Sequence, residues 1–577
     1  MKKFINLIIV ITIISFGLIG SKALFHSGFY TSHDGEHQLI RQYVFEQGLK
    51  DRQIPVRYNR QLYNGHGYPL FFFTYRLPFY FGEIFRIIGL SFADSIKSVF
   101  FITYIASGLA MFWFARRWGN IAGLIAAILY MWAPYRFSVI FVRAALGEHV
   151  SAVFVPLLFA SVSGGKNKNV NFVLGAVSLA GLFLSHAMMT QIALLAFIPW
   201  LLMSLRASTS DGRSVAISLR SIPKIFFMFI LGIGLSAYYL LPAAVYRGLT
   251  QKLNPNYFTD HFVTLRQLIY SPWGYAFSMK GVENDGMSFQ IGIAQWLAVF
   301  IVIPALSWNL YRYLYRFRVK RFDRHELTAE RLGMTWIKPG TAWEALSLLL
   351  TFFLSIFLMT EPSAFIWNRW KNYINIDMPW RFLLMTAFSA SALVGIVIKS
   401  LALRSRARLL LAIVLVALAF YTNRNHLRVN EYFNYPDARL KTYAGTSNSD
   451  NEYRPKWDDG GIVNSILPEA SVFQGRGELK IVKSKSNLLE LAVKAEENIR
   501  LDINILYFPG WNIFVDGKES KFKYAGEKGI MRIDLEKGYH MVEAKFSEPP
   551  LGAAGDFITI ISFIILISLI KKNYAKT

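Results

Sequence analysis

The stretch "TSHDGEHQLIRQYVFEQG", residues 31–48, places His33, Asp34, Glu36, His37 and Arg41 within nine positions, directly after an apolar run. On a helix, positions i, i+3, i+4 and i+7 share a side. One face therefore carries Asp34, His37 or Gln38, and Arg41. A carboxylate there can take a proton from an attacking hydroxyl, and an arginine can hold a departing phosphate through a two-point hydrogen bond. A second grouping, His33, Glu36 and His37, spells H-x-x-E-H, the inverted zincin pattern of two imidazole ligands and a glutamate base. With Asp34 it makes a four-residue metal candidate: His33, Asp34, Glu36 and His37. Gly35 weakens a helix here by about 1 kcal/mol relative to Ala, and the pattern opens a loop beside an apolar segment. Zinc hydrolysis is thus the minor alternative.

Other ionisable residues lie near the ends of apolar runs: Arg136, Arg143, Glu148 and His149 in "APYRFSVIFVRAALGEH", His186 in "LSHAMM", Asp260, His261 and Arg266 in the 247–288 segment, and Asp377 and Arg381 in "DMPWRF". Arg57 belongs to the same polar outer segment as Asp34. Charges at the edge of an apolar layer are costly and are usually paired or functional. Plainer roles compete in each case. Asp34 can cap a helix, Arg143 and Glu148 can form a structural ion pair, His186 can be a hydrogen-bonded core histidine, and Arg381 can snorkel to headgroups. Convergence on one side of the molecule favours function over these separate roles.

The elements that must position these groups are membrane spans. Of 577 residues, 54% are hydrophobic and 17% charged, below the roughly 25% charged usual for soluble domains. Apolar runs near 4–24, 94–114, 120–134, 147–163, 170–186, 188–205, 224–246, 289–311, 343–360, 381–399, 409–421 and 553–570 predict about twelve spans. The basic start "MKK" and longer apolar run predict an uncleaved first span rather than a removed signal. Alternating the connections puts the basic segments "RRWGN", "GGKNKN", "RASTSDGRSVAISLRSIPK", "RYLYRFRVKRFDRHELTAERL", "KSLALRSRAR" and the tail "KKNYAK" in the cytoplasm, with both termini. Much of the net charge of +25 is then orientation signal and headgroup contact, and no nucleic-acid groove is implied. This parse requires residues 67–90, "GYPLFFFTYRLPFYFGEIFRIIGL", to lie in the interface, consistent with Pro69, Arg76, Pro78 and Glu83 interrupting the run.

The chain then divides into a first span (1–24), an outer loop with interfacial helices and the candidate acid (25–93), spans 2–11 (94–421), an extracytoplasmic β-rich domain (422–552), and a last span with a basic tail (553–577). In the β-rich part, "LLELAVKA", "IRLDINIL", "WNIFVDGK", "IMRIDLEK" and "HMVEAKF" read as short strands of a β-sandwich, punctuated by "FPGW", "DGKE" and "EKGY". There is no cysteine, so no disulfide or thiolate metal site is available.

These features resemble the C-type glycosyltransferase superfamily, whose members use polyprenyl-phosphate sugars. An acid in the first outer loop, the "GYPLFFF" interfacial segment and spans joined by "ARRWG" carry the likeness. The segments running from "SHDGEHQ" to "YFGE" and from "APYRF" to "VFVPLL" are similar to bacterial membrane proteins labelled 6-pyruvoyl-tetrahydropterin synthase-related, a label that establishes no pterin chemistry. "DMPWRFL", "GTSNSDNEYRPKW" and "YFPGWNIFVDGK" resemble YfhO-like membrane proteins. The resemblance implies a GT-C-like polytopic α-helical fold and an inverting glycosyltransferase, acting at the outer face of a bacterial cytoplasmic membrane. Its donor would be a polyprenyl-phosphate-linked sugar and its acceptor a glycan, lipid or protein. Asp34 takes the position of the first-loop catalytic acid, with Glu36 in reserve. His37, Arg41, Arg57, Arg143, Glu148, His149, His186 and Arg381 are the candidate substrate-binding residues. Where many superfamily members have adjacent acids, Gly35 separates Asp34 from Glu36, which leaves open both the base and a divalent cofactor, magnesium or manganese. A non-enzymatic flippase for lipid-linked glycan is the alternative. It predicts ionisable residues through the middle of several spans, and the central thirds of these runs are nearly free of charge.

Overall fold

Spacing and breakers decide where each apolar run becomes a helix. A computed structural model describes residues 2–162, 168–206, 222–251, 257–278, 286–319, 339–373, 376–400, 405–448, 451–460, 467–524, 526 and 528–574. Among these, five helices are long and apolar enough to cross a membrane: Phe92–Trp118, Thr341–Met359, Pro379–Lys399, Arg406–Leu427 and Pro550–Lys572. Two bent pairs, Asn120–Met131 with Pro134–Val142 and Ile222–Leu235 with Ala237–Leu249, raise the number to seven if each is one span. The chain is a multi-pass membrane protein, but the expected count of about twelve is not reached on length and composition. Five shorter apolar helices, Phe4–Gly20, Leu146–Ser161, Asn171–Ser185, Ala187–Met203 and Ile293–Trp308, fall on other expected runs. The predicted basic segments at 206–224 and 312–332 lie largely outside the described residues, as does most of "GGKNKN".

Local chemistry accounts for the ends that matter. Ser91 caps the Phe92–Ala115 helix by accepting from Asp94 N at 3.0 Å, satisfying an otherwise unpaired first-turn N–H. Pro134 has no N–H to continue the preceding ladder, and the bent pair turns by 50° there. The 67–90 stretch forms two short helices, Leu70–Phe73 and Leu77–Ile87. The longer has 11 residues, about 16 Å at the usual rise, which is too short for a hydrocarbon layer of roughly 30 Å. Phe79, Gly82 and Glu83 are buried on one side of it, while Ile84, Ile87 and Ile88 are exposed.

Strand β1 (Phe29–Tyr30) pairs antiparallel with β2 (Tyr432–Phe433), tying the first outer loop to the segment that follows the Ser405–Asn423 helix. The remaining strands are β3 (Ala470–Gln474), β4 (Gly477–Lys485), β5 (Leu488–Ala495), β6 (Ile499–Leu506), β7 (Trp511–Val515), β8 (Lys518–Ser520), β9 (Ile530–Leu535) and β10 (Gly538–Phe546). They form a five-stranded sheet, β4-β5-β10-β7-β8, and a three-stranded sheet, β3-β6-β9. Alternate residues Leu489, Leu491 and Val493 of one sheet and Leu501, Ile503 and Ile505 of the other share one core, as two packed antiparallel sheets require.

This sheet domain is narrower than the expected 422–552. Its strands begin at Ala470. The residues before it pack on the first outer loop instead: Tyr435 OH donates to Glu36 at 2.7 Å, and Tyr63 OH donates to Asp458 at 2.9 Å. The sheets also rest on that loop. Tyr58, Phe72 and Phe73 enter the sandwich core, and Arg60 donates to Leu488 O at 2.9 Å and to Glu469 at 2.7 Å.

Candidate functional site

The Gly35–Lys50 helix begins immediately after Asp34. The residues before it are fixed by backbone: His33 N donates to Val142 O at 3.0 Å, and Asp34 N donates to Arg143 O at 2.8 Å. The first outer loop is thus joined to the end of the bent span pair, and Asp34 comes to lie beside Arg143, 109 positions away in the chain. Asp34 makes no side-chain cap of its helix, and its carboxylate has no hydrogen-bond partner among the described residues. The capping role therefore does not account for it.

Behind Asp34 lies a buried charge network. Arg143 Nη1 donates to Glu148 Oε2 at 2.6 Å, and Arg381 Nη1 reaches the same oxygen at 2.8 Å. Tyr135 OH donates to Glu148 Oε1. Arg381 also grips Asp377 with two nitrogens, Nε to Oδ1 at 3.0 Å and Nη2 to Oδ2 at 3.2 Å. The Trp380 ring lies 4.7 Å from the Arg143 guanidinium carbon and 5.5 Å from that of Arg381, a cation–π arrangement that strengthens when desolvated. Such a network is stable only because each carboxylate is matched. Gly147 lets it close up: a Cβ there would stand 2.4 Å from Ser185 O and 2.6 Å from the Tyr75 ring.

The two arginines differ in what they have left. All three Arg381 nitrogens are committed to Glu148 and Asp377. It does not snorkel: its guanidinium is held by Glu148 and Asp377. Arg143 uses only Nη1, toward Glu148 and Tyr135. Its Nε and Nη2 have no hydrogen-bond partner among the described residues. The expected Arg143–Glu148 ion pair forms and still leaves a fork of two donors beside Asp34. Burial lowers the affinity of the His33 imidazole for a proton, and Arg143 lowers it further. His37 is lowered in the same way, by burial and then by Arg41, and its Nδ1 is buried without a partner. Burial would raise the Asp377 carboxyl, but Arg381 holds it below the usual carboxylate range. His261 is lowered by burial, against the pull of Asp377.

The other predicted residues separate. His186 is within electrostatic reach of Arg381 and Glu148, stacks on Tyr75 at 5.6 Å and accepts from Met189 N at 3.3 Å. It is a hydrogen-bonded histidine at the edge of the site. Arg41 is bound by the 447–448 loop, donating to Ser447 O at 2.6 Å. Glu36 accepts from Tyr435 and pairs with Arg439 at 3.2 Å, on the exposed side. Arg57 lies elsewhere. It is buried against Glu548 at 2.7 Å and Asp556 at 3.1 Å, where the outer loop meets the Pro550–Tyr574 helix. His149 points away from Glu148, with its Nε2 3.0 Å from Phe100 O. For Glu36 and Arg41 the side chain is taken by a partner some 400 positions away.

The four residues of the metal candidate do not converge. His33 Nε2 is 3.1 Å from Tyr275 O, Glu36 faces Tyr435, and no group of three His, Asp or Glu side chains able to hold a metal forms among the described residues. A magnesium or manganese ion would meet one unpaired carboxylate here, Asp34. Tyr135 and Trp380 were not singled out in the sequence. Their one signal is position, each directly preceding an arginine of a "PYR" or "PWR" turn.

No protein-family model matches the chain. An uncharacterized protein of Lactococcus lactis subsp. cremoris (strain MG1363) is 24% identical over 249 residues, which are 42% of this chain and 40% of that protein. The chain is also similar in fold to the mycobacterial arabinofuranosyltransferase AftD, with TM-score 0.43 and 12% identity, over 75% of this chain and 27% of that one. A mutant of the same enzyme gives TM-score 0.41 and 12% identity, over 76% and 29%. The chain thus spans well under half the length of each of these proteins.

Proposed function

We propose that this protein is an integral membrane glycosyltransferase, moving a sugar from a polyprenyl-phosphate donor to an acceptor hydroxyl at the outer face of a bacterial cytoplasmic membrane. The observation that carries the reading is the juxtaposition of an unpartnered carboxylate, Asp34, with an arginine, Arg143, that keeps two donors free. A base and an anion-holding fork are the two functions such a reaction demands of a protein. A lipid-linked donor carries its reacting carbon at headgroup depth. Asp34 and Arg143 lie where the outer loop meets the ends of apolar helices, which suits a donor of that kind.

In this mechanism the acceptor hydroxyl gives its proton to Asp34 as its oxygen attacks the anomeric carbon. The bond from that carbon to the phosphate oxygen breaks, and its electron pair leaves on the polyprenyl phosphate. Attack opposite the leaving group inverts the centre. Arg143 Nε and Nη2 bind the departing phosphate. Arg381 is a positioning residue that keeps Glu148 against Arg143. No step is assigned to a metal.

The test is incubation of the purified protein in lipid nanodiscs with a panel of labelled polyprenyl-phosphate pentoses and hexoses. Sugar release or transfer with inversion supports the reading. Movement of intact donor between leaflets without cleavage would favour the flippase alternative.

A further inference from the structure

Arg136 is fully buried at the bend between Asn120–Met131 and Pro134–Val142. Its Nη2 donates to Ser107 Oγ at 3.1 Å, but Nε and Nη1 have no hydrogen-bond partner among the described residues. The guanidinium carbon lies 5.9 Å from the Tyr104 ring and 5.6 Å from the Tyr130 ring. Both phenol hydroxyls are committed elsewhere, Tyr104 to Met131 O and Tyr130 to Ala152 O, each at 2.9 Å. Glu148 is within electrostatic reach but is already bound by Arg143, Arg381 and Tyr135. Flanking the same Tyr104 ring at 6.1 Å is His149, also fully buried, whose Nδ1 has no hydrogen-bond partner among the described residues. Three buried polar atoms on two neighbouring side chains thus lack hydrogen bonds, where nearly all such atoms in native proteins have one.

The chemistry of the two sides selects what joins them. Phe100 O only accepts, so His149 Nε2, 3.0 Å away, carries a hydrogen. A second cation beside the buried guanidinium would be repelled, which leaves His149 Nδ1 as an acceptor. Arg136 only donates. A group between a donor and an acceptor must accept from one and donate to the other. An anion such as chloride cannot donate, and water does both. Two to four polar partners are what a buried water requires.

We propose that Arg136 and His149 hold an internal water site within the helix bundle, in which water accepts from Arg136 Nε or Nη1 and donates to His149 Nδ1. The site is independent of the sugar-transfer reading. It accounts for a guanidinium buried without a carboxylate of its own directly behind the Glu148 network.

Pulsed X-ray hydroxyl-radical labelling in ¹⁸O-water tests it on the full protein in nanodiscs, because radicals form at bound water and oxidise adjacent rings. The control is Tyr58, equally buried, with its hydroxyl on Leu506 O at 2.7 Å. Tyr104 and Tyr130 should oxidise several-fold faster than Tyr58 in the wild-type protein, and His149→Phe should bring Tyr104 down to the Tyr58 rate. Equal rates for Tyr104 and Tyr58 in the wild type would overturn the proposal, as would unchanged Tyr104 labelling in folded His149→Phe. Stabilisation by chloride over gluconate, with no labelling, would show an anion in its place. If His149→Phe does not fold, Arg136→Met supplies the same comparison.

Discussion

Among single residues, two arginines that look alike in the sequence differ in what they leave unbonded. Arg143 has a free fork and Arg381 has none. A lysine keeps the charge at position 143 but loses the fork. Arg143→Lys should therefore raise the donor KM, and Arg143→Gln should raise it further, both read by titrating donor in the transfer assay. The histidines predict a pH dependence. Burial and neighbouring arginines lower His33 and His37 below the ordinary imidazole value near 6.5. The unfolded chain then binds more protons than the folded one between the lowered values and about pH 6.5, so stability rises with pH across that window and is lost as pH falls through it. Thermal denaturation from pH 5 to 7.5 should show this slope, and it should be shallower in His37→Gln. Asp34, Arg143, Glu148 and Arg381 were legible as candidates from residue type and position. Which of them stay free was not: Asp377 stands four positions before Arg381, but Tyr135 reaches Glu148 across 13 positions and Arg381 reaches it across 233, contacts no spacing rule reports.

Among the elements, the Leu77–Ile87 helix packs against the Gly35–Lys50 helix that follows Asp34. Gln42 of that helix donates to Phe79 O at 3.1 Å and also to Glu83, and Arg86 Nε donates to Glu46 at 2.7 Å. Burial pushes the Glu83 carboxyl up to about 7, against the hydrogen bond from Gln42. The folded protein therefore binds this proton more tightly than the unfolded chain does. Stability from this group is present at pH 4–5 and is lost as pH rises through about 7. Glu83→Gln should accordingly gain in melting temperature relative to wild type as pH is raised from 5 to 8, and a gap independent of pH would contradict the assignment. The prolines and charges of residues 67–90 revealed this element in the sequence. The strands were only partly visible. β5 alternates in burial along its length, whereas β4 is an exposed edge strand with a register shift between Ile481 and Lys483, and an edge that faces water on both sides leaves no alternation to read.

At the scale of the whole molecule, the sheet domain is fastened to the loop that contains Asp34. Tyr58, Arg60 and His66 bond to it through Leu506, Leu488 and Asn504. That loop in turn is stitched to β2 and to the 435–458 segment. The strands of the sheet domain begin at Ala470, and the described residues before it bond to the loop that contains Asp34. The basic connections predict an orientation. With no native cysteine, single cysteines report cleanly: Lys480→Cys should react with an impermeant maleimide in intact cells, and Thr328→Cys should react only after lysis. The reverse pattern would move Asp34 to the cytoplasmic side.

The central claim is that Asp34 is the base of a sugar transfer. Asparagine keeps its size and most hydrogen bonding and removes its basicity. In the labelled polyprenyl-phosphate assay, Asp34→Asn should lower turnover by about 10²–10⁴-fold, the usual contribution of general acid–base catalysis, with donor binding little changed. Full transfer by a folded Asp34→Asn protein would contradict the account.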